Sequence, residues 1–187
     1  DIVNTAAVFY SSYFSQDTAP SPIQDSVLVL GGGANRIGEG TGFDFCCYQA
    51  GLALKKNCNN SIFVNCNPKS VSTAPDIFDR VYLDPLSPEN ILDICEHEKP
   101  LGLIAQFGGS SPVQVTDVLQ NENIPILGTS LASMHRAESP ELFNKLLLDL
   151  SIPQPKAGLA TSSEEAFSLA EEIGFPLLVK PDRKSVV

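Results

Sequence analysis

The chain has 187 residues, 43% of them apolar, with 12 basic against 22 acidic side chains and a formal charge of −10. That length and composition can bury a core for one domain and part of another. The acidic balance argues against nucleic acid or an anionic membrane surface as partner, and no apolar run reaches transmembrane length, while ATP stays open because phosphate sites are local.

The opening residues, Asp1-Ile2-Val3-Asn4, lack an initiator Met, a basic n-region and a signal-peptide core, and read as a cut inside a longer protein. Residues 1–25 have no clear period. Phe9, Tyr10, Tyr13 and Phe14 stand among serines ahead of Pro20 and Pro22, which suggests a tail or linker that packs through its aromatics.

Regular patterning begins at Val27. Val27–Leu30 is a short apolar strand, and Gly31, Gly33 and Gly38 punctuate the turn that follows it. A helix is predicted over Phe43–Lys56, with Gly51 a weak spot or a close-packing point. Ser61–Asn65 and Val81–Leu83 read as strands two and three. Pro88 opens a helix at about Glu89–Glu98. Leu101–Gln106 is a fourth strand closed by Gly108-Gly109, Pro112–Asn121 is a helix with Val115, Val118 and Leu119 on one side, and Ile124–Leu127 is a fifth strand. Short apolar strands alternating with helices imply parallel βαβ units, covered on both faces.

The pattern then turns to helix. Leu142, Phe143, Leu146, Leu147 and Leu150 have helical spacing within Pro140–Leu150. Ser162-Ser163-Glu164-Glu165 caps a helix over Glu164–Ile173. Glu164-Glu165 and Glu171-Glu172 read as solvated helix faces. Gly174 ends that helix, and Pro176–Lys180 reads as the start of a further strand.

The five cysteines, Cys46, Cys47, Cys58, Cys66 and Cys95, have no CxxC spacing, and His97 and His135 read as surface residues. Reduced core thiols fit better than a zinc site and point to a cytosolic or organellar-stroma protein.

A glycine turn between a strand and a helix often cradles phosphate, because the backbone can approach closely and the helix N-terminus offers free N–H groups. The dinucleotide fingerprint, however, would want glycine where Arg36 stands. It would also want an acidic residue at the end of the second strand, where Asn65 and Asn67 stand. Three readings remain: a nicotinamide site, a turn serving only packing, and a site for another anion or small ligand. Asp44 either hydrogen-bonds the turn or serves the first turn of its helix.

Seven motifs are more specific. Leu30-Gly-Gly-Gly-Ala-Asn-Arg-Ile-Gly-Glu-Gly40, Phe43-Asp-Phe-Cys-Cys47 and Val64-Asn-Cys-Asn-Pro68 with Val71-Ser-Thr73 are followed by Asp79-Arg-Val-Tyr-Leu83, Gln106-Phe-Gly-Gly109, Gly128-Thr-Ser130 and Arg136-Ala-Glu138. In order and spacing they resemble the large subunit of carbamoyl-phosphate synthase over about residues 26 to 181. The likeness is greatest to its second, carbamate-phosphorylating half. Residues 3 to 14 resemble the end of the oligomerisation domain that precedes that half.

The resemblance implies an α/β fold. Residues 1–25 would be the tail of a preceding domain and a linker. Residues 26–130 would form a Rossmann-like parallel sheet, the pre-ATP-grasp domain, and 131–187 the helical start of an incomplete ATP-grasp domain. It implies an ATP-dependent ligase that uses bicarbonate and ammonia from glutamine, with ATP and Mg²⁺ as cofactors. Its product feeds arginine and pyrimidine synthesis. The implied partners are a glutamine amidotransferase subunit or domain, the other domains of the large subunit and a second copy in a homo-oligomer; the implied compartment is the cytoplasm, or an organellar stroma or matrix.

Most of the family's phosphate clamps and its metal carboxylates would lie outside this chain. Lys180 stands where the family carries an ATP-contacting arginine, and supplies a cation without a bidentate fork; a strand-end charge in solvent is the other reading. Ser139-Pro140 replaces a pair whose arginine contacts ATP. Thr41-Gly42, Lys69, Ser110-Ser111 and the last residues, Asp182 to Val187, also depart from the family pattern. The expectation is that this chain alone is inactive, and the alternative is a diverged, non-catalytic copy that binds or scaffolds.

Overall fold

A computed structural model describes residues 8–9, 20–35, 38, 40–57, 59–74 and 76–180. The expectations for residues 1–7, for Tyr10, Tyr13 and Phe14, for Arg36 and for Asp182 to Val187 lie outside the described residues. Two compact units are present, 1–135 and 136–187.

The first unit is a parallel sheet of β1 (Val8–Phe9), β2 (Ser26–Leu30), β3 (Asn60–Val64), β4 (Arg80–Tyr82) and β5 (Gly102–Ile104), in the order β1-β4-β3-β2-β5. Every residue of β2 is buried, as a central parallel strand covered on both faces requires. Alternation along the strands divides the core in two. Leu28, Leu30, Ile62 and Val64 face α2 (Pro88–Glu98) and α3 (Ser110–Asn121). Val29, Phe63 and Val81 face α1 (Thr41–Lys56) together with Ile77 and Phe78. The fold class is therefore the α/β parallel sheet expected.

Helix starts follow their capping chemistry. Ser87 accepts the Asn90 N–H at 3.3 Å with Pro88 in the first turn of α2, and Lys99 closes that helix at φ 48°. Gly51 is a close-packing point, since a β-carbon there would lie 2.8 Å from Ile77 and 2.9 Å from Phe78. Helix α3 begins two residues earlier than predicted, and Val118 is exposed, so its buried side is carried by Val115, Thr116 and Leu119.

Three sequence expectations change. Ile124–Leu127 makes a single bridge, Leu103 to Ile126, because its backbone pairs with β5 only around Leu103. The linker contributes a strand, β1, which the absence of period concealed. Pro176–Lys180 is irregular backbone, because no neighbouring strand pairs with it among the described residues.

Helix α4 (Leu131–Glu138), which carries the buried Met134, was not predicted and spans the division between the units. In the second unit α5 (Pro140–Asp149) and α6 (Ser163–Ile173) are capped by Ser139 and Ser162. Glu165 is not simply a solvated carboxylate: it accepts the Thr161 N–H at 2.7 Å and hydroxyl at 2.9 Å, and the backbone bond chiefly holds its carboxyl below the usual range. Neither α5 nor α6 buries a residue fully; Leu142, Leu148, Phe167 and Phe175 are exposed.

Candidate functional site

The C-terminal ends of β2 and β5 flank the point where strand order reverses, which is where an open α/β sheet ordinarily holds a ligand. The glycine turn lies there, and several of its described polar groups are bonded within the protein. The Gly31 N–H donates to the Val64 carbonyl at 2.8 Å, and the Gly33 N–H to Asn65 Oδ1 at 3.1 Å. Asn35 donates to the Gly32 carbonyl at 3.1 Å. Asn65 is buried and also donates to the Ser70 hydroxyl at 3.1 Å. At the position where a dinucleotide site needs a carboxylate for a ribose, this chain has an amide that braces its own turn.

Across the crevice, Gly108 presses backbone to backbone on Gly31: a β-carbon at Gly108 would overlap the Gly31 carbonyl and come within 2.7 Å of the Pro112 ring. Two of the turn's N–H groups, those of Gly31 and Gly33, are already bonded within the protein, and with the Gly31–Gly108 contact this favours the packing reading of the turn.

Asp44 serves neither the glycine turn nor its own helix end alone. Its carboxylate accepts the N–H groups of Val71 at 2.7 Å and Ser72 at 3.1 Å, and the Ser72 hydroxyl. It thereby caps, from outside, the short 3₁₀ turn Val71–Thr73.

A groove of about 370 Å³ runs along α1 beside the end of β5, lined by Phe45, Cys46, Ala50, Leu54, Ile104 and Phe107 among others. It offers no Lys, Arg, Asp or Glu and is no phosphate site. Next to it, burial first and the Asp44 charge second push the Cys47 thiol up to about 12; burial alone does the same for Cys95. Iodoacetamide at pH 8 should therefore label exposed Cys46 and spare Cys47 and Cys95 in the folded chain, as peptide mass spectrometry would read. Equal labelling of Cys46 and Cys47 would contradict this packing.

Sequence patterning missed one buried polar cluster. Arg80 and Tyr82 on β4 both donate to Glu98 at the end of α2. Burial first, and the bond to Glu98 next, raise the Tyr82 hydroxyl well above its ordinary range. Residues 79–83 stood among the motifs, but Glu98 lies 18 positions from Arg80 with no local signal to join them.

Residues 23–136 match the family model described as the carbamoyl phosphate synthase preATP-grasp domain. The chain belongs to this family. Among curated carbamoyl phosphate synthase large chains, that of Acidobacterium capsulatum is 48% identical over 177 residues, 92% of this chain and 16% of the relative. That of Xanthomonas axonopodis pv. citri is 43% identical over 181 residues, 97% and 17%. The chain thus spans about a sixth of the length of these relatives.

Two solved structures share the fold. N5-carboxyaminoimidazole ribonucleotide synthetase from Thermus thermophilus aligns at 15% identity with a TM-score of 0.60, covering 80% of this chain and 37% of that one. The biotin carboxylase domain of Hydrogenobacter thermophilus 2-oxoglutarate carboxylase, solved with MgADP, ADP and bicarbonate, aligns at 18% identity with a TM-score of 0.59, covering 81% and 33%.

The family's implied ATP and Mg²⁺ find little here to hold them. Among the described residues no group of three or more His, Cys, Asp or Glu side chains is arranged for a metal ion. Lys180 is exposed and makes no hydrogen bond or ion pair with another described residue. Pro140 sits in the first turn of α5, behind Ser139, whose hydroxyl accepts the Leu142 N–H at 3.4 Å. Ser139-Pro140, expected from the sequence to stand in place of an ATP contact, is thus a helix start. His135 faces Asp117 at 3.1 Å, and half-buried His97 meets the Pro20 carbonyl at 3.0 Å. No helix among the described residues is long and apolar enough to cross a membrane.

Proposed function

We propose that this chain works as part of a carbamoyl phosphate synthase large chain, making carbamoyl phosphate from ATP, bicarbonate and ammonia drawn from glutamine. The product supplies arginine and pyrimidine biosynthesis. The observation that carries the reading is the family match over 23–136, with 48% identity to a curated large chain over nearly all of this chain.

In this reading residues 26–130 are the pre-ATP-grasp sheet and 131–187 begin the ATP-grasp domain, with 1–25 as the tail of the domain before. The sheet is a packing element rather than a nucleotide cradle, a reading supported by the internal bonds of the Gly31 and Gly33 N–H groups. ATP and Mg²⁺ bind chiefly to residues supplied by other domains. Lys180 is this chain's own ATP contact, a single cation toward the phosphates. The partners are those other domains and a glutamine amidotransferase subunit or domain, with a homo-oligomer as the assembled form. The compartment is the cytoplasm, or an organellar stroma or matrix. The exposed apolar side chains of α5 and α6 support packing against further domains.

A second reading, a diverged copy that scaffolds without catalysis, is favoured by Pro140 and by the departure of Asp182 to Val187 from the family pattern. Two assays separate these. Purified residues 1–187 with ATP, Mg²⁺, bicarbonate and ammonia should form no carbamoyl phosphate, and formation above background would overturn the division of labour proposed. Residues 23–180 grafted into the Acidobacterium capsulatum large chain, in place of the aligned segment, should retain synthesis. A folded but inactive chimera would favour the scaffold.

A further inference from the structure

Glu98 is 1% exposed and Arg80 6% exposed, and each uses its charge on more than the other. Glu98 Oε1 accepts from Arg80 and from the Tyr82 hydroxyl, while Oε2 accepts the backbone N–H of Ile23 at 3.0 Å. Arg80 Nη2 donates to the Ser21 carbonyl at 3.0 Å. The guanidinium also lies over the Phe9 ring, 5.5 Å from its centroid, and that ring is 5.7 Å from the ring of Tyr82. One ion pair therefore grips the preceding arm at two separate places, the Ser21–Ile23 stretch and Phe9 of β1.

The sheet shares this holding, since Asn60 on β3 donates to the Gln24 carbonyl at 2.7 Å. Strand β1 pairs with β4 through two residues, followed by the Leu83 N–H donating to the Phe9 carbonyl at 2.7 Å. Apolar residues at 80 and 98 could fill the space, often at no loss of stability. They could not bond the Ser21 carbonyl or the Ile23 N–H. A buried charge pair whose bonds beyond itself and Tyr82 go to one segment acts on the placement of that segment.

We propose that Arg80, Tyr82 and Glu98 form a joint that clamps the arm preceding β2, so that Phe9 and Ser21–Ile23 are held and released together. The inference stands on this chain's own contacts and does not depend on the reaction proposed above. In a longer large chain, the same joint would couple the preceding domain to β4 and α2.

Amide hydrogen exchange on the full 187-residue chain tests it. Phe9→Leu keeps apolar bulk but removes the ring over Arg80. Its expected result is a tenfold or greater loss of protection at Ile23 as well as at Leu83, with the Gly31 amide, bonded to Val64 in the core, unchanged. Unchanged protection at Ile23 would mean two independent anchors and overturn the joint. Parallel loss at Gly31 would also overturn it, since general loosening would then explain the result. Arg80→Met with Tyr82→Phe and Glu98→Leu removes the pair while filling its space. It should release Ile23 and Leu83 together and leave Gly31 protected; release of Ile23 alone would refute the coupling.

Discussion

Gly108→Ala is expected to lower the unfolding free energy by about 3 kcal/mol, the upper end of ordinary overpacking costs. The added methyl meets the Gly31 carbonyl carbon at 2.6 Å and the Pro112 ring at 2.7 Å. Neither neighbour is a flexible side-chain end. Gly31 is itself fixed, because its N–H is bonded to Val64 and a β-carbon on it would lie 2.7 Å from Asn65. Relief therefore requires the turn after β2 to move away from β5, breaking the bonds that brace it. Gly42→Ala is the matched control. Nothing lies within 4 Å of the β-carbon it would add, and it sits inside α1. Its expected effect is a gain of roughly 0.5 kcal/mol from helix propensity. Urea unfolding of both variants at equal m reads the difference. If the two midpoints shift alike, the crevice between β2 and β5 is open rather than closed, and the turn becomes available to a ligand again.

That closure bears on how a glycine-rich strand–turn–helix is read. The missing glycine at position 36 and the asparagines at 65 and 67 already weakened a dinucleotide site in the sequence. What replaced it was invisible there. The Gly33–Asn65 bond joins residues 32 positions apart, and the Gly31–Gly108 contact depends on which strands are neighbours. The strands themselves were legible because a buried parallel strand is a continuous apolar run, and both faces of β2 and β3 are covered. Helix α4 was not legible, since Leu131 and Met134 are its only large apolar residues. Conversely, the run Leu177-Leu178-Val179 has strand composition but no partner to make a ladder among the described residues. Local pattern specifies a strand's surface chemistry, while pairing is decided elsewhere. Asp44 shows the same limit: a carboxylate in the first turn of a helix suggests a local role, whereas its bonds run to a 3₁₀ turn 27 and 28 residues away.

The Arg80–Glu98 pair carries the second large expected effect, and its sign depends on how many partners are removed. Glu98→Ala should cost about 3–5 kcal/mol, because it leaves the Arg80 guanidinium buried with its main counter-charge gone and strips the Tyr82 hydroxyl and the Ile23 N–H of their acceptor. Arg80→Ala should cost a similar amount, leaving a buried carboxylate held only by neutral donors. Against a typical domain stability of roughly 5–15 kcal/mol, either loss is severe. The triple replacement Arg80→Met, Tyr82→Phe, Glu98→Leu should recover most of that cost. No charge is then stranded, and the three apolar side chains join a core cluster that already contains Ile91, Ile94 and Leu103. Thermal and urea unfolding of the singles and the triple give the comparison, with the singles well below the parent and the triple near it. A triple variant as unstable as the singles would mean that the pair contributes most of its energy directly, through its own charge–charge attraction. A triple variant near the parent in stability, with Ile23 released, would separate the two roles: the core does not need these charges to fold, and the arm needs them to be held in place.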